Sequence, residues 1–269
     1  MKASASKIVL KSPREIALMR AAGRLVCDVL DEIERHVEPG VTTRQLDAIA
    51  ERLIADAGAT ALFKGVVNPQ ARFPFPASIC SSVNEEVVHG IPDDRPLREG
   101  DIVSVDCGVR LDGYCGDAAR TFAVGKIAPA ARRLMDTTRE ALELAIREIR
   151  PHTRWSRVAR KMQKYVESRG FGVVREFVGH GLGREMHEEP KVPNYVEPAG
   201  QRSDFDLLPG MTLAIEPMVT GGKPGVRFRD RDRWTVVTKD GSLAAHFEHD
   251  IAVTEDGVLV LSAGESASS

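Results

Sequence analysis

Five residues in this 269-residue sequence, Asp106, Asp117, His180, Glu216 and Glu248, have types that together could hold metal ions. Four carboxylates and one imidazole are a hard-oxygen set with a single nitrogen, which suits two divalent first-row cations. The two aspartates belong to one predicted β-hairpin. Apolar and β-branched residues alternate over 102–109, and Asp112 and Gly113 form a pair that closes a tight two-residue turn. A turn centred there sets Asp106 opposite Ala119, with Asp117 two residues away on the same face. The aspartate Cβ atoms are then diagonal neighbours about 7–8 Å apart. That suits a grip on cations and is too close for two buried anions with nothing between them. Two solvated aspartates on an open sheet face would be the ordinary alternative. The settings of His180, Glu216 and Glu248 weigh against it.

His180 lies between Gly179 and Gly181, which allow bends and close backbone approach. Taken alone, it would read as a buried structural histidine. His187 follows seven residues later, an odd step that puts the two on opposite faces of a straight strand unless Gly181 and Gly183 bend the chain. Glu216 follows Leu213, Ala214 and Ile215, and a carboxylate in so apolar a strand needs a cation or a proton partner. Glu248 follows Phe247, and a salt-bridged glutamate is its ordinary alternative. His36, His152 and His246 lack such settings and read as surface or packing residues.

The composition is that of a globular protein, 42% hydrophobic and 28% charged. A formal net charge of −2 without blocks of like charge argues against nucleic acid or an anionic membrane as the main partner. No apolar run approaches the roughly 20 residues of a membrane span. Residues 1–11 lack the apolar core of a secretory signal, so the expected location is the cytoplasm. Cys27, Cys80, Cys107 and Cys115 form no C-x₂-C pair and read as reduced packing residues, with Cys107 on the hairpin face away from the carboxylates.

The elements that must position these groups alternate between helix pairs and strands. Ser12, Pro13 and Glu15 open a helix with a capping-box pattern, and Pro39-Gly40 breaks it. Thr42 or Thr43 caps a second helix ending at Gly58. The pair returns over 130–150 and from Val158 to Gly170. Pro39 falls on Pro151, Leu46 on Val158, Ile54 on Val166 and Gly58 on Gly170, each 112 positions later, which predicts an internal duplication with pseudo-twofold symmetry. Strands are predicted over 78–83, 102–109, 115–124, 173–178, 211–219, 234–237, 244–253 and 258–261. The fold class is therefore α+β, with helices backing a curved antiparallel sheet whose other face carries the site. The Pro-rich link 63–76, with Phe73 and Phe75 expected to be exposed, reads as a loop walling a pocket. The expected organisation is a flexible tail over 1–11, one catalytic domain over 12–262 and a flexible tail over 263–269.

Together, the His-Gly-Ile-Pro run at 89–92, the Asp106 and Asp117 pair, the segment 179–190, Ile215 to Met218 and Phe247 to His249 resemble the signature of type I methionine aminopeptidases. The similarity runs in unbroken order from about Ser12 to Leu261. It implies the pita-bread fold, two divalent metals bridged by a water or hydroxide, and hydrolytic removal of an N-terminal methionine when the next residue is small. By the same resemblance, Asp106 is a bidentate ligand of one metal, Asp117 and Glu248 bridge, and His180 and Glu216 bind the other. Glu216 doubles as proton handler. His89 and His187 correspond to two non-ligand histidines, one near the scissile amide nitrogen and the other near the carbonyl or its oxyanion. Phe75, Cys80, His89 and Trp234 would form the methionine pocket. The metals could be Co, Mn, Fe, Zn or Ni. The partners implied are methionyl peptides and nascent chains, with a transient ribosome contact left open; a monomer is expected.

Met186 stands where an aromatic residue often precedes the second histidine, Asp250 where threonine is frequent, and the 66–75 loop looks longer than in compact members. A Cys/His zinc-binding extension ahead of the domain is not expected. Two readings compete with the hydrolase. One is a proline-directed peptidase of the same fold, whose members usually carry an additional N-terminal domain. The other is a pita-bread protein that binds without catalysis; members that lose activity tend to lose ligands, and all five are present here.

Overall fold

The computed structural model describes residues 8–196 and 204–264. Helix α1 (Pro13–His36) starts with the expected capping box: Ser12 Oγ accepts from the Glu15 N–H, and the Glu15 carboxylate accepts from the Ser12 N–H. Helix α2 (Thr43–Asp56) is capped by Thr42. The chain then runs through β1 (Thr60–Ala61), β2 (Cys80–Val83), β3 (Glu86–Val88), β4 (Ile102–Leu111) and β5 (Tyr114–Ala123) into α3 (Pro129–Glu148) and α4 (Trp155–Glu167). It continues with β6 (Gly172–Val173), β7 (Gly179–Gly181), β8 (Glu188–Val192), β9 (Thr212–Ile215) and β10 (Met218–Thr220). The last strands are β11 (Val226–Phe228), β12 (Val236–Thr238), β13 (Ala244–His246), β14 (Glu248–Thr254) and β15 (Gly257–Val260).

The expected duplication is visible in the element boundaries. A step of 112 carries the last residue of α1, His36, onto the last of α3, Glu148, and the first of α2, Thr43, onto the first of α4, Trp155. The same step carries Gly58 onto Gly170, both at positive φ (68° and 83°), and β1 onto β6. Each pair has its own core. Helices α1 and α2 bury Val26, Leu30, Leu46 and Ala50 against Val103, Val105 and Cys107 of β4. Helices α3 and α4 bury Leu134, Leu142, Trp155 and Met162 against Leu213, Ile215, Ala245 and Ile251.

All strand pairs are antiparallel. A nine-stranded sheet runs β1-β4-β5-β14-β9-β7-β8, with β2 on β4 and β15 on β14; two three-stranded sheets, β13-β10-β6 and β11-β12-β3, complete the curled structure. Two predicted long strands are interrupted. The stretch 211–219 breaks at Glu216–Pro217, where proline has no N–H for the ladder, and 244–253 breaks at Phe247. At Glu216–Pro217 the chain passes from the large sheet to the β13-β10-β6 sheet, and at Phe247 it passes from that sheet back to the large one, so β9 pairs with β14 while β10 pairs with β13. The strand expected over 173–178 keeps only Val173 in β6, and the exposed Arg175 and Glu176 lie in irregular chain.

Of the expected tail over 1–11, residues 1–7 lie outside the described residues. Those from 8 onward are docked: the Lys11 N–H donates to Gly210 O (2.7 Å), and its buried ammonium pairs with Glu188 at 2.5 Å. Of the tail over 263–269, only residues 263 and 264 are described. No helix among the described residues is long and apolar enough to cross a membrane.

Candidate metal centre

The hairpin β4–β5 has the expected register, with Asp106 opposite Ala119 and Gly108 opposite Asp117; the turn residues Asp112 and Gly113 both take positive φ (50° and 80°). Ala119 also faces Glu248 of β14, and Ala214 of β9 faces both Asp250 of β14 and His180 of β7. Directly paired residues, and residues two apart on one strand, share a face. The ladder therefore brings Asp106, Asp117, Glu248, Asp250, His180 and Glu216 to one side of five adjacent strands, β4-β5-β14-β9-β7. Ala119 and Ala214, between them, are small enough to leave room. The opposite side, with Cys107, is packed under α1 and α2.

His180 Nδ1 lies 3.0 Å from Gly181 O. A carbonyl only accepts, so Nδ1 carries the proton and Nε2 presents its lone pair to the cluster. That nitrogen is 3.8 Å from Asp117 Oδ2 and 3.6 Å from Glu216 Oε1. One ligand atom each from Asp117, His180 and Glu248 fall within 4.8 Å of one another. The His187 ring, seven residues on, comes within 4.3 Å of the His180 ring, centroid to centroid. This fold-back needs Gly181, because a Cβ there would sit 2.3 Å from Glu189 O.

Burial and mutual repulsion dominate the electrostatics. Burial raises Asp106 to about 7, while its hydrogen bond with Asp117 pulls the other way. Asp117, Glu216, Glu248 and Asp250 are held well above the ordinary carboxylate range, first by burial and then by neighbouring carboxylates, Asp106 among them, while the hydrogen bond from the Asp117 N–H pulls Asp250 the other way. Burial also lowers His180 and His89 to about 4, and the neighbouring His187 adds to the effect on both. Asp106 Oδ1, Asp117 Oδ1 and Glu248 Oε1 are buried without hydrogen-bond partners. No lysine or arginine lines this pocket among the described residues. Anions packed this way need cations, and the donor set fits divalent metal ions.

The cluster forms the floor of a cavity of about 320 Å³. The 63–76 loop walls it as expected, but Phe75 is not exposed. It is buried, with its ring edge-on to Trp234 at 5.3 Å, whereas Phe73 is on the surface. The Trp234 indole donates to Phe73 O (2.8 Å) and pins the loop. Cys80, paired with Asp106 in the β2–β4 ladder, enters the same wall. His89, at φ 57°, places its ring edge-on to Phe177, and His187 stands exposed at the mouth. Met186 lies across Gly108 as part of the lining.

A search against family models matches residues 17–255 to metallopeptidase family M24. The chain belongs to this family. Among M24 relatives, methionine aminopeptidase 1 of Bacillus subtilis (strain 168) is 48% identical over 255 residues, covering 94% of this chain and 98% of its own. The solved methionine aminopeptidase of Thermotoga maritima superposes with a TM-score of 0.89 at 42% identity, covering 96% of this chain and all (100%) of its own. That of Rickettsia prowazekii gives 0.88 at 38% identity, with coverage of 96% and 100%. This M24 chain thus has the pita-bread fold of its relatives.

Two residues at the site carry more than the sequence suggested. His246, expected at the surface or in packing, is buried with Nε2 3.8 Å from Glu216 Oε2 and 3.9 Å from Glu248 Oε2. Asp250, noted only as a departure from threonine, accepts the Asp117 N–H at 2.6 Å, one step beyond the last ladder pair between β5 and β14. For Asp250 the available signal was parity, since it lies two residues beyond Glu248 on β14 and shares its face; His246 lies on β13, across the break at Phe247, where that rule does not reach.

Proposed function

We propose that this chain removes the N-terminal methionine from nascent proteins and peptides whose second residue is small, using divalent metal ions. The carrying observation is the buried anionic cluster, without lysine or arginine, at the bottom of an apolar cavity. It stands beside 48% sequence identity to a methionine aminopeptidase over 94% of the chain. Asp106, Asp117, His180, Glu216 and Glu248 would hold two cations, with Asp117 and Glu248 shared between them. When bound, the cations supply Lewis acidity and a nucleophilic water usable at neutral pH.

The remaining steps belong to the protein. The acidic floor attracts the free α-amine of a substrate, which restricts action to chain ends. The wall of Phe75, Cys80 and Trp234 takes an unbranched thioether side chain, whose burial contributes about 1.5–3 kcal/mol. Glu216, held in an apolar strand end, accepts a proton from the attacking water and returns it to the departing nitrogen. His89 and His187 offer ring N–H groups to the substrate carbonyl and to that nitrogen. One chain carries every residue of the site, which fits a monomer. Nascent chains as substrates fit a cytoplasmic location and a transient ribosome contact.

The test is release of free methionine from Met-Ala-Ser by purified protein with added Mn²⁺ or Co²⁺, and its loss with a chelator. Cleavage before proline instead, or release that persists in chelator, overturns the proposal.

A further inference from the structure

We propose that His246 is a positioning residue that fixes which oxygen of Glu216 faces the cations and which is left to handle a proton. The inference rests on the two-cation reading above.

The backbone of His246 is clamped. It pairs with Met218 across β10–β13. Its N–H donates to Thr121 Oγ1 at 2.9 Å, and its carbonyl accepts from the same hydroxyl at 2.8 Å. The ring is 2% exposed and points at the carboxylates, where Nε2 has no hydrogen-bond partner. An unpaired buried ring nitrogen this close to two carboxylate oxygens is a donor held next to its acceptors.

The two oxygens of Glu216 face different imidazoles. Oε1 lies 3.6 Å from His180 Nε2 and Oε2 lies 3.8 Å from His246 Nε2. These contacts are not equivalent. His180 spends its proton on Gly181 O, so its Nε2 and Glu216 Oε1 are both electron-pair donors and call for a cation between them. Once cations replace the carboxyl protons, His246 can satisfy its own Nε2 only by carrying hydrogen there and donating it to Oε2, after a small rotation of Glu216. That donor exists in the imidazolium and in the Nε2–H tautomer alike, whatever the charge of the ring. The result is a glutamate that binds metal through Oε1 only. Oε2, anchored by His246, is the oxygen that exchanges a proton with the water. The same Nε2 lies 3.9 Å from Glu248 Oε2, so the ring also braces a shared carboxylate.

The experiment compares wild type with His246→Leu, His246→Gln and His246→Asn by titrating metal-stripped protein with Mn²⁺ in a calorimeter, alongside kcat and KM on Met-Ala-Ser. Glutamine can reach Oε2 with its amide. Asparagine is polar but one methylene shorter, and it keeps the comparison available if the leucine variant does not fold. The leucine and asparagine variants should still bind two cations, with one binding step weakened and kcat lowered by about 10–100-fold at little change in KM. Glutamine should recover most of both. Equal behaviour of glutamine and asparagine, or unchanged binding steps in all variants, overturns the inference. Loss of a whole cation does so too, because it would make His246 a ligand. A wild type that binds no cation overturns the two-cation reading along with it. Thermal midpoints of the metal-free proteins, expected to be alike, exclude general loosening of the fold.

Discussion

The rings of His180 and His187 lie 4.3 Å apart at an interplanar angle of 53°. Only one of them sits on the strand that points into the carboxylates. The other stands at the cavity mouth, beside the path a substrate must take. His187→Ala and His89→Ala should therefore keep the wild-type metal content while turnover falls about 100-fold or more. Elemental analysis of protein dialysed after metal loading, read beside kcat, checks this; a missing cation in either variant would mean the imidazole is a ligand.

Gly181 makes that pairing possible. Gly181→Ala brings a Cβ to 2.3 Å from Glu189 O, so β7 and β8 must separate. The expected cost is about 1–3 kcal/mol of stability from overpacking, together with weaker metal binding through His180. Denaturant unfolding of the metal-free protein measures the first and a metal titration the second. Wild-type values for both would show that the strands yield freely.

Glu216→Gln removes one of the mutually repelling carboxylates and the proton handler together. Turnover should drop by several orders of magnitude, while the metal-free protein unfolds no more easily than wild type. Near-normal turnover with metal in excess would remove Glu216 from the chemistry.

The raised carboxylates make metal-free stability pH-dependent. Asp106 moves from 3.8 to about 7, and its four neighbours shift the same way, so the folded protein holds protons that the unfolded chain releases. Stability from this source is complete below about pH 4 and is lost as pH rises through about 7 and beyond. Bound cations replace the protons. The gap between the thermal midpoints of metal-saturated and metal-stripped protein should widen steadily from about pH 5 to pH 8. A gap that stays constant over that range would show the cluster is not where the protons bind.

Pocket shape sets selectivity. Met-Ala and Met-Gly peptides should be cut, Met-Leu and Met-Lys peptides spared, and Leu-Ala and Pro-Ala peptides cut poorly. Each misfitting methylene is worth only about 1–3 kcal/mol, so long incubation will show leakage. Phe75→Ala should raise KM for Met-Ala by opening the wall that Trp234 supports. Initial rates across this panel decide the matter; equal rates on Met-Ala and Met-Lys would remove the small-residue rule.

Features that depend on neighbouring residues along the chain were legible in the sequence. The capping box at Ser12, the cap at Thr42 or Thr43, the 112-residue duplication, the Asp112-Gly113 turn and the opposition of Asp106 to Ala119 follow from local chemistry and the two-residue period of a strand. Glu216 was legible as well, because it stands in too apolar a segment to go without a partner. Tertiary structure decided what depends on which strands become neighbours. No periodicity indicated that 211–219 and 244–253 would each cross between sheets, at Glu216–Pro217 and at Phe247. Those crossings turn His246 inward, a residue whose sequence setting looked unremarkable. Nor could sequence foresee that Asp250 would take the Asp117 N–H where the β5–β14 ladder ends, or that Phe75 would be buried against Trp234. Strand pairing at long range is set by how two half-cores close on each other, and that closure is a property of the whole chain rather than of any window within it.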